Sequence, residues 1–256
     1  MTWGIKPILF NIGSIPVPSY SFFIVLGFLV GLAVYFWEAK KSNSLGENNI
    51  YIIFGALIGA AIGAKLLDFI VDYRYFIASF WSVETLFYGK TIIGGLIGGV
   101  IGTRITKKLF NIKGKRGNLF APAIAVGVAI GRIGCFLRGC CYGKPTNLPW
   151  GVNFGDGILR HPTQIYESLF MLAMFIYLEK IKNRKDIKPG QLLKILMVSY
   201  FTFRFFIEFI RVQDVVLFGL TGFQIISLLA IIYLIRDNLI NLLLKIKTIY
   251  GKQQYE

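Results

Sequence analysis

Long apolar stretches separated by short polar linkers dominate this chain of 256 residues. A helix that crosses a membrane needs about 20 predominantly apolar residues, and seven stretches approach or reach that length. We therefore predict seven transmembrane helices within a single domain covering residues 1–256. The predicted spans are residues 20–37, 50–72, 92–110, 119–137, 164–179, 191–210 and 218–235.

The composition narrows the class of protein further. Hydrophobic residues make up 55% of the chain and charged residues only 16%, whereas a soluble domain is about 45–50% apolar and about 25% charged. A chain with so few charged residues cannot cover itself with polar surface in water, so it is a poor match for a soluble enzyme, a disordered chain or a secreted disulfide scaffold. The sequence predicts an all-α, polytopic membrane protein.

The basic residues predict the orientation of the chain in the membrane. Seventeen of the 28 lysines and arginines fall in linkers 38–49, 104–117 and 180–190 and in the region from Arg236 onward. Cytoplasmic loops of membrane proteins carry an excess of lysine and arginine. We therefore expect an external N-terminus and a cytoplasmic C-terminus. The net charge of +15 is then explained by the basic cytoplasmic linkers, and no nucleic-acid partner is needed to account for it.

Glycines recur every four residues in predicted spans two and three. Small residues at this spacing let helix backbones approach closely in lipid, so we expect these two spans to be tightly packed. The glycines are Gly55, Gly59 and Gly63 in span two, and Gly94, Gly95, Gly98, Gly99 and Gly102 in span three.

Charged residues inside the predicted spans cluster toward the external face. A charge at the centre of a bilayer costs about 2.5–3.5 kcal/mol on insertion scales, so each such residue needs a functional or structural reason. The predicted topology places Arg132, Glu167, Arg204 and Glu208 in the outer halves of their spans. This one-sided distribution indicates a site at the membrane surface.

Two arginines of this cluster differ in the partners that the sequence offers them. Arg204 and Glu208 share a helix face with Tyr200 and Arg211, so they either pair with each other or bind a ligand. Arg132 has no acidic residue three or four positions away, and we predict that it is unpaired. A guanidinium group offers a planar pair of donors to phosphate oxygens.

Arg132 also lies between Gly131 and Gly134, which would admit either a ligand or another helix at close range.

His161, the only histidine, precedes predicted span five and is a candidate for proton transfer. Because metal binding would need companion ligands that the sequence does not supply, we predict no metal site. Thr163 is a candidate cap for the same span.

Three cysteines lie close together in the sequence. Cys140 or Cys141 is a candidate nucleophile beside arginines. Alternatively, Cys135 forms a disulfide with one of them in an oxidising compartment.

Several motifs are similar to those of one enzyme family. They are SYSFFIVLGF at 19–28, GGLIGG at 94–99, GRIG at 131–134, HPTQIYE at 161–167, RFFIEFIR at 204–211 and the stretch Gly222–Ser227. With these motifs the chain resembles the prolipoprotein diacylglyceryl transferase family over essentially its whole length. The HPTQIYE and RFFIEFIR motifs are the most specific of the set.

The resemblance implies a bacterial plasma-membrane enzyme that needs no cofactor. Such an enzyme moves the diacylglyceryl group of phosphatidylglycerol to the lipobox cysteine of a precursor lipoprotein and releases glycerol phosphate. By position, Arg132 is the headgroup-binding arginine, and Arg204 and Glu208 are the essential pair of span six. Tyr20 and Gly143 match a span-one tyrosine and a loop glycine of the family.

We expect these matched positions to form one site. The expected catalytic residues are Tyr20, His161, Arg204 and Glu208. The expected substrate-binding residues are Arg132, Gly143, Gln164, Tyr166, Glu167 and Arg211.

Three positions depart from the family pattern. Cys135, Cys140 and Ile93 stand where the family usually has asparagine, glutamate and histidine. Either His161 or Glu208 carries the proton in a divergent transferase, or the chain is a paralogue that uses a phospholipid donor with another acceptor and its own thiols. A lipid-binding or transport protein without catalytic activity is the third alternative.

Overall fold

The computed structural model describes residues 5–46, 48–71 and 91–236, so Lys90 and the basic residues beyond Arg236 lie outside the described residues. Within these ranges the chain is mostly helical, and seven α-helices follow the order of the predicted spans. They are α1 Ser19–Lys41, α2 Asn48–Val71, α3 Ile92–Leu109, α4 Gly117–Arg138, α5 Thr163–Ile181, α6 Gln191–Ile207 and α7 Gly222–Arg236.

The seven predicted segments and the described helices coincide to within a few residues, and the seventh helix begins at Gly222, after its predicted start at residue 218. A short 3₁₀ helix, Glu208–Ile210, follows α6. The chain then forms an antiparallel hairpin of Val215–Leu217 with Leu220–Thr221 before α7 begins. The backbone at Phe218 has a φ of +51° and that at Gly219 a φ of +75°, a left-handed conformation that no helix can contain.

Two other hairpins were likewise not predicted from the pattern of apolar and polar residues. Strands β1 (Ile8–Ile12) and β2 (Ile15–Pro18) pair just before α1. Strands β3 (Val152–Asn153) and β4 (Leu159–Arg160) pair in the loop before α5. Including β5 (Val215–Leu217) and β6 (Leu220–Thr221), all three hairpins lie at the same end of the helices.

Contacts at both ends show that the helices alternate in direction. Val71 at the end of α2 contacts Gly222 at the start of α7. At the opposite end, Tyr51 near the start of α2 stacks on Phe110 just after α3. There Lys182, just after α5, pairs with Glu38 near the end of α1 at 2.6 Å. The arrangement is an up-and-down bundle.

The glycine repeats act as predicted, because α2 and α3 pack backbone to backbone. A Cβ atom added at Gly59 would lie 2.3 Å from the Gly98 carbonyl oxygen, and one added at Gly63 would lie 2.4 Å from that of Gly94. A second close pair joins α1 to α4, where a Cβ at Gly27 would lie 2.5 Å from the Gly127 oxygen. Only glycine permits these separations.

The outer surfaces of the helices are apolar and exposed. Leu29 on α1, Ile62 on α2 and Leu169 on α5 each expose more than half of their area. Large apolar surfaces of this kind mark contact with lipid or with other proteins. In the described residues α1, α2 and α4 are long and apolar enough to cross a membrane, and α7 is apolar but shorter. The protein is an all-α membrane protein.

Candidate active site

Five buried charged side chains meet at the end of the bundle that carries the hairpins. Arg132 comes from the last turns of α4, Glu167 from the start of α5, Arg204 from the end of α6, and Glu208 and Arg211 from the turn that follows α6. All are less than 9% exposed. Glu38 is the other buried charged residue within the described ranges, and it lies at the opposite end.

Glu167 joins three helices through its carboxylate. Its Oε2 atom lies 2.9 Å from Nη2 of Arg132 and 3.7 Å from Nη1 of Arg204. Its Oε1 atom accepts a hydrogen bond of 2.8 Å from the Tyr200 hydroxyl. The prediction that Arg132 is unpaired is therefore wrong. Its partner lies 35 positions away on α5, beyond the reach of any helical spacing rule.

Glu208 forms ion pairs with two arginines but is less fully hydrogen-bonded than Glu167. Its Oε2 atom lies 2.9 Å from Nη2 of Arg204 and 3.6 Å from Nε of Arg211, so of the two alternatives the structure shows the Arg204–Glu208 pair. Neither carboxylate oxygen has an aligned hydrogen-bond donor in the described structure. Because Oε2 is paired with the two arginines, Oε1 of Glu208 is the carboxylate oxygen of the site without a partner among the described residues.

The three arginines also keep unused donors. Nε of Arg132, Nη1 of Arg204 and Nε of Arg211 are buried without a hydrogen-bond partner among the described residues. An unsatisfied buried donor costs about 1–3 kcal/mol. Three guanidinium groups face two carboxylates, so the cluster carries a net positive charge. Such a site suits an anionic ligand that accepts several hydrogen bonds.

The glycines beside Arg132 allow helix α1 to pack closely against α4. A Cβ at Gly131 would lie 3.3 Å from the Ile24 side chain, and one at Gly134 would lie 2.8 Å from Cβ of Phe23. Of the two alternatives, the structure favours close contact with α1. This contact fixes the end of α4 and the position of Arg132.

The loop after α4 is attached to the start of α5. The Thr163 hydroxyl donates to the Cys141 carbonyl oxygen at 2.7 Å, and the Gln164 amide donates to that of Cys140 at 2.5 Å. The prediction that Thr163 caps α5 is wrong, since its hydroxyl makes this loop contact. Nη1 of Arg211 also donates to the Cys141 carbonyl oxygen, at 3.0 Å.

Gly143 is required for the crossing of three segments. A Cβ atom there would lie 2.5 Å from the Ile210 carbonyl oxygen and 2.8 Å from Cβ of His161. The backbone of Gly143 also bridges to Arg211. Any side chain at this position would separate the loop from the charged cluster.

His161 lies outside the charged cluster. Its Nδ1 atom is 3.4 Å from the Tyr166 hydroxyl, which also accepts a hydrogen bond of 2.7 Å from Nε1 of Trp150. In the described contacts this histidine faces Tyr166 and not Glu167 or Glu208. Its predicted role in proton transfer remains a prediction.

Tyr20, Arg132 and Cys135 line one end of a cavity of about 1470 Å³. The guanidinium of Arg138 lies 5.1 Å from the centre of the Tyr20 ring, so this end of the cavity is cationic. The cavity continues between the helices past mainly apolar residues such as Phe28 and Leu96. At its other end the cavity is lined by basic residues that include Arg104, Lys107 and Lys188. It therefore has an apolar interior between two polar ends.

The three cysteines are free thiols, so the structure does not contain the disulfide considered from the sequence. Cys135 is buried, and its Sγ atom lies 3.8 Å from Nη1 of Arg132. Cys141 is exposed. Ile93 is buried in the hydrophobic core and 1% exposed, so it contributes to packing.

Tyr200 was identified on the charged face of α6 but was not predicted as a site residue. Its hydroxyl binds Glu167 and its side chain is fully buried. The four-residue spacing to Arg204 was the available signal, but spacing alone does not identify an acceptor on another helix.

These features define a membrane protein with a buried, positively charged site at one end of a large cavity with an apolar interior. The model of the prolipoprotein diacylglyceryl transferase family matches residues 7–236. A phosphatidylglycerol–prolipoprotein diacylglyceryl transferase of Clostridium tetani is 35% identical over 216 residues, which are 80% of this chain and 85% of that protein. The chain belongs to the prolipoprotein diacylglyceryl transferase family.

Two further relatives carry the same name. That of Finegoldia magna is 36% identical over 229 residues, which are 88% of this chain and 91% of the relative. That of Dehalococcoides mccartyi strain 195 is 31% identical over 241 residues, which are 89% of this chain and 90% of the relative. The range matched by the family model, residues 7–236, includes all seven described helices.

Proposed function

We propose that this protein transfers the diacylglyceryl group of phosphatidylglycerol to a cysteine thiol of a prolipoprotein. The observation that carries the proposal is the buried cluster of three arginines and two carboxylates, in which Arg132 lines the cavity and its Nε donor has no hydrogen-bond partner among the described residues. A phosphodiester headgroup is anionic and has several acceptor oxygens, so it matches this cluster. The names of the relatives support the same donor and acceptor.

The reaction forms one bond and breaks one bond. The prolipoprotein sulfur attacks the glyceryl carbon that carries the phosphate oxygen, and the carbon–oxygen bond breaks. Glycerol phosphate leaves with the bonding electron pair. Arginine donors already positioned at the phosphate stabilise the negative charge that develops on the leaving group. We assign Arg132 and Arg204 to this role.

A base must accept the proton of the incoming thiol. Glu167 is a poor candidate because both of its oxygens are already engaged by Arg132 and Tyr200. Glu208 pairs with Arg204 through Oε2, but its Oε1 atom has no partner among the described residues. We assign the proton to Glu208, while Tyr20, Gly143 and Gln164 shape the donor end of the site.

We place the site at the external face of the bacterial plasma membrane, with seven membrane-spanning helices. The alternating helix directions and the basic residues Lys182, Arg184 and Lys185 at the opposite end support this orientation. The apolar interior of the cavity is suited to the acyl chains of the lipid.

The test is a reconstitution with phosphatidylglycerol vesicles and a peptide that contains a lipobox cysteine. Mass spectrometry of the peptide is expected to show addition of the diacylglyceryl group, with release of an equal amount of glycerol phosphate. Arg132→Ala is expected to reduce the rate by about 10²–10³-fold, the usual effect of losing a transition-state donor. Arg184→Ala removes an exposed arginine that pairs with Asp186 and is the matched control.

The two products of the assay test the lipid donor and the thiol acceptor independently. Glycerol phosphate released without peptide modification would leave the lipid donor correct and the thiol acceptor wrong. Absence of both products, from protein that elutes as a folded species, would contradict the proposed function. Equal losses in Arg132→Ala and Arg184→Ala would contradict the assignment of Arg132.

A further inference from the structure

The cavity that contains Arg132 has a second polar end, at the side of the bundle opposite the charged cluster. Basic residues of α3 and of the loops before α4 and α6 line this end. They include Arg104, Lys107, Lys115, Arg116 and Lys188. The proposed transferase reaction uses none of these residues, so their convergence on one cavity needs another explanation.

The acidic residues at this end are paired with other cations. Asp186 also lines the cavity, and its carboxylate lies 3.0 Å from Nε of Arg184. Glu38 and Glu179 both pair with Lys182. Among the described residues, the five basic side chains named above therefore lack a carboxylate partner, and this end of the cavity carries excess positive charge.

Arg116 forms part of the wall at this end. It immediately precedes α4 and is half-buried. Its Nε atom is buried without a hydrogen-bond partner among the described residues. Because a buried donor that is left unsatisfied is unfavourable, an anionic oxygen that accepts a hydrogen bond from Arg116 would stabilise this part of the cavity.

The starts of α4 and α6 are held together beside Arg116. The Asn118 side chain donates to the Lys188 carbonyl oxygen at 3.1 Å and accepts from the Leu192 backbone N–H at 3.0 Å. A Cβ atom at Gly117 would lie 3.2 Å from Cα of Gly190. The N-terminus of a helix carries partial positive charge and favours anions. The backbone at this end therefore favours the same kind of ligand as the basic side chains.

Between its two polar ends the cavity is apolar. Phe28, Leu96 and Val128 line this part. Small residues of α1, α2 and α3 leave room for a ligand there, namely Gly27, Gly31, Ala56, Ala60, Gly95 and Gly99. Hydrocarbon chains suit such a lining, whereas a soluble anion would make no use of it. The ligand that matches the whole surface is an anionic group attached to acyl chains.

The length of α4 separates this ligand from the one expected at Arg132. From Arg116 to Arg132 the chain advances 16 residues, a rise of about 24 Å along the helix axis. The hydrocarbon core of a bilayer is about 30 Å thick, so each leaflet contributes about 15 Å. A lipid whose headgroup lies at Arg132 therefore leaves the opposite end of the cavity to a headgroup from the other leaflet.

We propose that the basic end of the cavity binds the phosphate headgroup of an anionic phospholipid from the cytoplasmic leaflet, with its acyl chains in the apolar interior. The lipid is bound intact, and no bond forms or breaks. The leaflet follows from the orientation proposed above, whereas binding at this end does not depend on transferase activity. The excess positive charge disfavours the positively charged n-region of a signal peptide as the occupant.

The site is tested by native mass spectrometry of the full-length protein in detergent, titrated with phosphatidylglycerol. The wild-type protein is expected to keep two lipids per chain. The triple variant Arg104→Gln, Arg116→Gln and Lys188→Gln is expected to keep one fewer. The Kd of the lost lipid should rise by about 10²-fold, because each basic side chain near an anionic lipid contributes about fivefold.

The matched control removes the same charge from the exposed surface of the same end. The triple variant Lys108→Gln, Lys113→Gln and Lys185→Gln alters exposed lysines that do not line the cavity. It is expected to keep as many lipids as the wild-type protein, with Kd values within about threefold, since salt screens distant charges. If the cavity variant does not elute as a folded species, Lys188→Gln is compared with Lys185→Gln, and a difference of about fivefold is expected.

Two other ligands test the headgroup and the acyl chains separately. Phosphatidylcholine has a phosphodiester but no net charge, and it is expected to bind the basic end about tenfold more weakly. Glycerol phosphate supplies the anionic group without acyl chains. At about a tenfold excess over the lipid it is expected to displace none, because it gains nothing from the apolar interior.

Three outcomes would overturn the proposal. Equal lipid counts in the two triple variants would show general attraction to basic surface. Displacement of the lipid by glycerol phosphate would show a site for a free phosphate ester, and equal binding of phosphatidylcholine would show that the basic residues do not select the headgroup. Failure of the external site is distinguishable, because the counts would then fall from one lipid to none instead of from two to one.

Discussion

Glu167 is the residue on which the buried charges of the site depend. Its carboxylate contacts Arg132 and Arg204 and accepts the Tyr200 hydroxyl. A buried carboxylate is stable only when its oxygens are paired and hydrogen-bonded. The position of each arginine is therefore tied to a group on another helix.

The contribution of the Tyr200 hydroxyl can be measured directly. Tyr200→Phe leaves Oε1 of Glu167 without this donor, and we expect a loss of about 1–3 kcal/mol of stability. Thermal unfolding in detergent measures the change. Tyr177→Phe alters an exposed tyrosine of α5 and is the matched control. Equal unfolding temperatures for the two variants would show that the Tyr200–Glu167 bond contributes nothing.

The proposed base at Glu208 predicts a kinetic effect. Glu208→Gln keeps the shape of the side chain but removes its basicity, and we expect kcat to fall by about 10²–10⁴-fold, the usual contribution of a general base. The rate is followed as peptide modification at saturating phosphatidylglycerol. Glu179→Gln, at the opposite end of α5, is the control. A fall of that size in His161→Ala instead of Glu208→Gln would transfer the role to His161.

At the scale of helices, paired glycines set how closely α2 approaches α3. Carbonyl oxygens of one helix lie where Cβ atoms of the other would be, as for Gly59 and Gly98. In lipid such close packing replaces the hydrophobic driving force available in water. Because α3 also contributes Ile93 and Leu96 to the main core, this pairing attaches α2 to the bundle.

Two glycines of the same helix pair are expected to differ in their tolerance of alanine. Gly59→Ala places a Cβ atom 2.3 Å from the Gly98 oxygen, whereas at Gly95 the nearest atom is 3.8 Å away. We expect Gly59→Ala to destabilise the protein by about 1–3 kcal/mol through overpacking. Gly95→Ala should be neutral or stabilising, since alanine is the better helix former. Thermal unfolding distinguishes the two, and equal destabilisation would contradict the packing shown by the structure.

At the scale of the whole molecule, alternating helices bring residues from distant parts of the sequence to one face. The starts of α1 and α5 and the ends of α4 and α6 lie together, so Tyr20, Arg132, Glu167 and Arg204 become neighbours. The opposite end carries Lys182, Arg184 and Lys185. The molecule is therefore polarised along its helix axes.

The orientation of this axis in the membrane has a direct test. In a chain whose three native cysteines are replaced by serine, Asp156→Cys and Lys185→Cys place single thiols on opposite exposed loops. A membrane-impermeant maleimide is expected to label position 156 in intact cells and position 185 only after permeabilisation. Labelling of position 185 in intact cells would reverse the proposed topology.

Much of this architecture could be predicted from the sequence because its signals are local. The length of an apolar run predicts a helix, and the four-residue glycine repeats predict the close contact of α2 with α3. The four-residue spacing of Arg204 and Glu208 indicates that they can form an ion pair. The hairpin at Phe218 and Gly219 was missed because its apolar residues look like the start of a span. The conformation of its backbone is set by the left-handed turn at these two residues.

The sequence by itself determined the class of protein, the approximate bounds of most helices, the pair within α6 and the residues that share a family pattern. Only the tertiary structure decided that Arg132 pairs with Glu167, that Oε1 of Glu208 has no partner among the described residues and that the three cysteines are free. The reason is physical. Periodicity governs contacts within one helix, whereas these contacts depend on which ends of separate helices pack together.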